Sequence, residues 1–326
     1  MPKSPQELPP IPKKPRATQE FDIEMEDKIT TILEEGGETL ESKMGAKIAS
    51  VTEGSDKHAK NEDRALVSKE NFAAVLDGLG SYGHGDRASQ LAAEVISFEL
   101  EEIKKDEGLT ERELESIKFK MASALKKASK EILKKIKNDP KMKGMGTTAS
   151  LVKLCKLENG KTKALIANVG DSRIYLLRKG KLQRLTKDDS ILQYLIDKKG
   201  IGPEANPDED PKIIDGLDKE YKLKGKIRSG ATLALGSHED FHEQLENKLA
   251  LELVQEIDLQ KGDTLMLCSD GIIDNVPDKE KEQVLNSKGN ELELSEKLVS
   301  NAGIAEIRPD NPTATPDDKT AVIIKI

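Results

Sequence analysis

The sequence predicts an α+β sandwich, and three observations carry that prediction. Strand-like apolar runs fall in separate blocks, helical periodicity fills the gaps between them, and strict alternation of strand and helix is absent. Residues 1–20 are Pro-rich and basic without periodicity and read as a flexible tail, since they bury too little apolar area to offset the entropy of ordering. Residues 21–35 read as a short helix ended by Gly36 and Gly37, within a helical lead-in over 21–45. The domain proper is expected over 46–326, opening with the strands KIASV, RALVS and NFAAVLD.

A helix is expected to begin near Asp86, with Leu91, Val95 and Phe98 on one face. The next is clearer: Leu114, Ile117, Met121, Leu125, Ala128, Ile132 and Ile136 recur at three- and four-residue steps as far as Pro140, a stripe that faces a core. After Gly146, TTASLVKLCKL, KTKALIANV, SRIYLLR and KLQRL are strands separated by NG, GD and KG turns, which predicts consecutive antiparallel hairpins. Residues 188–200 read as a short helix, and 201–230 break every periodicity, so about 191–230 are expected to form a flap or insertion. LALELVQEI and DTLMLCSD resume the strands, helices occupy roughly 279–302, and KTAVIIKI closes the domain.

Composition narrows the chemistry. The 326 residues carry a formal charge of -8, which argues against a nucleic-acid partner, and aromatics at 3% leave an aliphatic core. No apolar run reaches membrane-spanning length and no signal-peptide pattern opens the chain, so a cytoplasmic protein without a membrane partner is expected. The 4 His and 2 Cys form neither HExxH nor CxxC, which excludes zinc clusters, disulfide scaffolds and an evident thiol nucleophile. Carboxylates are left to carry any catalysis.

The loudest local signal is DGLGSYGHGDRAS at 77–89, where Gly78, Gly80 and Gly83 satisfy GxGxxG. A dinucleotide site is rejected: Asp77 would repel a pyrophosphate, and the chain continues into long helices rather than a second parallel strand. An EF-hand fails too, because PDEDPKIIDG lacks glycine at the sixth loop position. Asp77 is instead one of several acidic residues at strand ends or turns, with Glu62, Asp63, Asp171, Asp270, Asp274, Asp317 and Asp318. Each alone is an ordinary turn carboxylate. Together they would repel unless cations neutralised them, and hard oxygen donors without His or Cys select Mg²⁺ or Mn²⁺. Paired ions of this kind activate water for in-line attack on a phosphoryl group.

Taken in order, NEDR, DGLG…GDRAS, GTTA, NVGDSR, LTKDDS, TLALG, GDTLMLCSDGIID and DDKTAVII resemble the metal-dependent protein phosphatase family (PPM, or type 2C), particularly its bacterial branch, over about residues 46–326. The resemblance implies a central sandwich of two antiparallel β-sheets flanked by helix pairs. It also implies hydrolysis of phosphoserine and phosphothreonine on proteins, with two or three Mn²⁺ or Mg²⁺ ions, a phosphorylated protein substrate, an opposing Ser/Thr kinase and a monomeric enzyme. By position, Asp77 would bridge the core ions, Asp270 and Asp317 would hold one, and Glu62 and the Gly78 carbonyl would face the other. Asp63 would steady metal-bound waters, and Asp171 and Asp274 would hold a weaker third ion.

The departures matter as much. His58 stands where the family has an arginine that grips the substrate phosphate, so His58, Lys57 or Lys60 is left for that contact, none offering an arginine's bidentate fork. Leu79 occupies a position where some members place a histidine, Ser81-Tyr82-Gly83 replaces GGH, and Asp189 replaces the histidine of the LT-x-DHS segment. Asp318 occupies the usual asparagine position, and register with Thr320 favours Asp317 over Asp318 as the ligand. Two other readings stay open at this point: a non-catalytic module that binds phosphorylated partners, and a phosphohydrolase of small phosphorylated metabolites.

Overall fold

The computed structural model describes residues 30–80, 84–201, 211–222, 231–232, 234–236, 250–306 and 316–326. Two six-stranded antiparallel sheets stack face to face. The first comprises β1 (Thr30–Leu33), β4 (Arg64–Ser68), β5 (Phe72–Leu76), β8 (Ala149–Lys156), β9 (Thr162–Val169) and β12 (Val254–Leu259), in that spatial order. The second runs β11 (Lys181–Arg184), β10 (Arg173–Arg178), β13 (Thr264–Cys268), β14 (Lys319–Lys325), β3 (Lys47–Glu53) and β2 (Gly36–Glu41). A short pair, β6 (Gly78–Leu79) with β7 (Gly146–Thr147), extends the end of the first sheet.

Alternation along each strand explains the layers. Ala65 and Val67 of β4, Ala73 and Val75 of β5, and Leu265 and Leu267 of β13 point into the space between the sheets. Their neighbours Leu66, Phe72 and Leu76 face α1 (Gly85–Glu101) and α2 (Glu111–Asn138). On the opposite side Met266, Cys268 and Ile323 face α7 (Asp278–Asn286) and α8 (Glu291–Glu306). Strands covered on both faces need apolar side chains at every position, so FAAVL and TLMLC read as unbroken runs. The helix pairs and sandwich are those the sequence predicts. Cys155 and Cys268 are unpaired and buried in the two outer interfaces, and burial pushes both thiols up to about 12, so neither supplies a nucleophile.

The long helix α2 follows its predicted stripe, with Leu114, Ile117, Met121, Leu125, Ala128 and Ile132 buried. It opens on a capping box between Thr110 and Glu113 and stops before Pro140. Helix α1 departs from its predicted face at one residue. Ala88, Ala92, Ala93, Ile96 and Leu100 form the buried side and the predicted Leu91 and Val95 pack partly buried at its edge, whereas Phe98 is 66% exposed. The helix expected over 21–35 is corrected where it is described. Thr30–Leu33 is an edge strand paired with β4, and Gly36–Glu41 pairs with β3, so 30–41 belong to the sandwich; residues 1–29 lie outside the described residues.

Two further corrections concern the second half. Within 201–230, Pro211–Tyr221 forms helix α4, which packs Ile214 and Leu217 against Leu192, Leu195 and Ile196 of α3 (Ile191–Lys199). Gly216 and the surrounding acidic residues hide that three-residue apolar spacing in the sequence. The strand expected from Leu249 starts only at Val254, after a single helical turn, α5 (Ala250–Leu253), whose Leu253 joins the core beneath α2.

Candidate metal centre

Strand register decides which residues reach the end of the sandwich where the carboxylates collect. Arg64 of β4 faces Leu76 of β5, which leaves Asn61, Glu62 and Asp63 beside Asp77. In the other sheet Arg173 faces Cys268 and Cys268 faces Ala321, so Asp171, Asp270 and the 317–318 pair emerge at one edge. A one-residue slip in any of these pairs would reverse the side-chain faces. Ser269 ties the two sheets together: its Oγ donates to Asp63 Oδ2 at 2.7 Å and accepts the Thr320 N–H at 3.0 Å.

Two glycines allow the close approach. A Cβ on Gly78 would stand 2.4 Å from the Gly85 carbonyl oxygen and 2.5 Å from that of Glu62, so this strand end can only be glycine. The Gly85 N–H at the start of α1 then donates to Glu62 Oε1 at 3.1 Å, and Ser89 Oγ donates to the Glu62 carbonyl at 2.6 Å. Asp270 opens the short helix α6 (Asp270–Ile273), and a Cβ on the following Gly271 would meet the Asp318 carbonyl oxygen at 2.1 Å. Gly271→Ala is therefore expected to push the entry of β14 away from Asp270. We expect Mn²⁺ affinity to fall about tenfold or more, by analogy with the loss of groups that orient ligands, and isothermal titration checks it.

The electrostatics are those of crowded anions. Burial, followed by the charges of Asp270, Asp63, Asp171 and Asp317, holds Asp77 well above the usual carboxylate range. Burial and then Asp317, Asp171, Asp274 and Asp63 do the same to Asp270. Asp63 and Asp171 are pushed up to about 7, chiefly by burial, and burial also raises Glu62. Asp77 is 8% exposed, and its Oδ2 is buried without a hydrogen-bond partner, as is Asp171 Oδ1. Unpartnered carboxylate oxygens in an all-oxygen cluster fit a divalent cation. Lys57 already supplies one positive charge there: its Nζ lies 2.6 Å from Asp317 Oδ2. Burial opposes that charge, but the hydrogen bond and the charges of Asp317, Asp270 and Asp77 raise the ammonium on balance.

The structure thus brings Glu62, Asp63, Asp77, Gly78, Asp171, Asp270, Asp274 and Asp317 to one end of the fold. Asp171, Asp270 and Asp274 line a small cavity of about 30 Å³ with Asp188, Arg173 and Ser190. A much larger cavity of about 650 Å³ runs along Arg64, Arg87 and Gln90 and shares only Lys60, Asn61 and Asp86 with this edge. The three expected phosphate contacts all face carboxylates: Lys57 on Asp317, His58 Nδ1 on Asp318 Oδ2 at 2.9 Å, and exposed Lys60 on Asp86 at 3.4 Å. Ser81, Tyr82 and Gly83 lie outside the described residues.

Sequence reasoning missed two supports. Arg173 grips Asp188 through Nε at 3.0 Å and a terminal nitrogen at 2.6 Å, and this buried pair shapes the Asp171 side of the edge. Asp318 is the second. Its Oδ1 accepts the Ser55 N–H and its Oδ2 the Glu62 N–H, both at 2.7 Å, alongside the His58 contact. Only the doubled acid in KDDS and in PDDK signals either role in the sequence.

Comparison with known proteins agrees with this fold. The profile of the Protein phosphatase 2C family matches residues 52–299. The serine/threonine phosphatase Stp of Listeria monocytogenes serovar 1/2a is 29% identical over 246 residues, 74% of this chain and 84% of that protein. Serine/threonine protein phosphatase PstP of Mycobacterium tuberculosis H37Rv is 28% identical over 232 residues, which span 68% of this chain but 37% of the relative. A crystal structure of Mycobacterium tuberculosis PstP superposes with a TM-score of 0.64 at 25% identity, covering 86% of this chain and 98% of that one. A second structure, of the PstP catalytic domain in complex with two manganese ions, has a TM-score of 0.61 at 24% identity, covering 86% and 97%. With more than half its length matched, the chain belongs to the protein phosphatase 2C family.

Proposed function

We propose that this chain is a metal-dependent protein serine/threonine phosphatase that hydrolyses phosphoserine and phosphothreonine monoesters. The observation that carries the reading is Asp77, buried at a strand end with Oδ2 unpartnered among four other raised carboxylates. In this reading Glu62, Asp77, the Gly78 carbonyl, Asp270 and Asp317 hold two Mn²⁺ or Mg²⁺ ions, and Asp171 with Asp274 holds a third. Asp317 rather than Asp318 would be the ligand, because buried Asp318 holds the Ser55 and Glu62 backbone N–H groups, whereas Asp317 Oδ2 faces the Lys57 ammonium, which a cation can displace. When bound, such ions supply the Lewis acidity that activates water and offsets phosphoryl charge.

The chain's own residues do the rest. Ser269, itself held by the Thr320 N–H, fixes the buried Asp63 beside the centre, where it would orient water. Lys57 neutralises part of the cluster and would turn to an incoming phosphate as cations take over Asp317. Leu79, two residues after Asp77, provides no proton, so another donor beside the leaving oxygen would have to supply it. Helices α3 and α4 form a flap: Ser190 and Leu192 at its base line the Asp171 cavity. The substrate is a phosphorylated protein supplied by an opposing Ser/Thr kinase, and we place both in the cytoplasm.

The test is hydrolysis of a phosphothreonine peptide and of an aryl phosphate with Mn²⁺, Mg²⁺ or chelator. Metal-dependent turnover of the peptide is expected. Absence of turnover on both compounds at saturating metal would make the chain a binding module, and a preference for small phosphorylated metabolites would reassign the substrate.

A further inference from the structure

The His58 imidazole sits between two acidic side chains of different standing. Nδ1 lies 2.9 Å from Asp318 Oδ2, and Nε2 lies 3.8 Å from Glu62 Oε2. We propose that His58 is a nitrogen ligand of the cation on the Glu62 side of the centre, and that Asp318 is the positioning residue that sets its ring. This inference rests on the metal-dependent reading above and adds a donor to it.

The argument starts from Asp318, which is 2% exposed. It accepts the N–H groups of Ser55 and Glu62, so its oxygens are anchored by backbone on the segment that carries His58. Both Asp318 oxygens act as acceptors there, so Nδ1 is placed to donate its N–H to Oδ2. Nε2 is then the ring atom turned toward Glu62, placed to face a cation held there. A histidine that donates one N–H to a carboxylate and offers the other nitrogen is the usual arrangement of a metal-bound imidazole. Two donors each at about 2.1 Å from one ion are at most ~4.2 Å apart, and the 3.8 Å between Nε2 and Glu62 Oε2 falls inside that limit.

The alternative, a phosphate clamp, fits less well. Nδ1 is engaged by Asp318, and Asp317 Oδ1 stands 3.8 Å from the same nitrogen, so an approaching phosphate meets carboxylates on that side. The replacements at 58 and 318 therefore belong together: the ring nitrogen of one is held by the carboxylate of the other. A nitrogen donor in an otherwise oxygen set moves preference away from Mg²⁺ toward Mn²⁺ and later divalent metals.

The test uses the full chain with histidine rings labelled in ¹⁵N and ¹¹³Cd²⁺ as the probe ion. Saturating ¹¹³Cd²⁺ is expected to split the Nε2 resonance of His58 through direct coupling while Nδ1 keeps its proton; His58→Gln removes that resonance and identifies it. Calorimetry should show Mn²⁺ affinity about tenfold weaker at one ion in His58→Gln, and weakened similarly in Asp318→Asn. Bound ¹¹³Cd²⁺ without coupling to His58, together with unchanged Mn²⁺ affinity in His58→Gln, would overturn the proposal and leave the carboxylate centre standing. Failure of the wild type to bind either ion would overturn the centre as well.

Discussion

Asp270→Asn is expected to lower metal-dependent kcat/KM on a phosphothreonine peptide by about 10³-fold or more, while raising the melting temperature of the metal-free protein. Both effects follow from one fact. Asp270 is a buried carboxylate whose ionised form is opposed first by burial and then by four neighbouring aspartates. Asparagine keeps the shape and removes the charge, so the apo protein loses a repulsive interaction that its fold must otherwise contain. The same change removes a negative charge from the donor set that would hold the ions, and with it the electrostatic stabilisation of a developing phosphorane-like charge. Opposite signs in stability and activity distinguish a functional carboxylate from a structural one, since loss of a structural group lowers both. Melting curves in chelator alongside peptide kinetics in Mn²⁺ provide the check. A lower melting temperature, or activity within tenfold of wild type, would remove Asp270 from the centre.

How much of this was legible in the sequence depends on whether the deciding contact is local. The strands FAAVL and TLMLC announce themselves because both faces are buried, and the α2 stripe does so because a 28-residue helix repeats its period many times. Thr30–Leu33 could not be read that way: four half-buried residues become a strand only because Arg64–Ser68 lies beside them. Phe98 misled for a related reason, since which edge of the apolar α1 stripe is buried depends on where α2 and the sheet lie. In the centre, Asp77 and Asp270 stood out as acids at the ends of apolar strands followed by glycine, and the close approaches at Gly78 and Gly271 give the physical reason for that pattern. The supporting role of Asp318 did not stand out, because its work is to accept N–H groups from residues 55 and 62, which only the pairing of β14 with β3 brings within reach. The Arg173–Asp188 pair is equally invisible until a hairpin folds one residue back onto the other.

The second large effect concerns pH. Metal-free protein is expected to become less stable as pH rises from about 5 to 8. Asp63 and Asp171 stay protonated up to about 7 in the folded chain, against an ordinary 3.8 once unfolded. Between those values the native state binds more protons than the unfolded state, so unfolding free energy falls with rising pH. The slope is up to about 1.4 kcal/mol per pH unit for each such group. Their favourable contribution is complete below 3.8 and is lost through about 7, while Asp77 and Asp270, also held above the usual carboxylate range by burial, act in the same direction. Carboxylates with depressed values, such as Asp263 beside Arg178 and Asp278 beside Lys281, act in the opposite sense, losing their contribution only as pH falls below the ordinary carboxylate range. Chelated protein should therefore be most stable near pH 5. Saturating Mn²⁺ should reverse the trend above that pH, because protons and cations compete for the same oxygens and binding stabilises only the folded state. Urea midpoints from pH 5 to 8, with chelator and with Mn²⁺, separate the two curves. A chelated protein that grows steadily more stable toward pH 8 would mean that these carboxylates are ionised without strain, and the case for cations between them would fall with it.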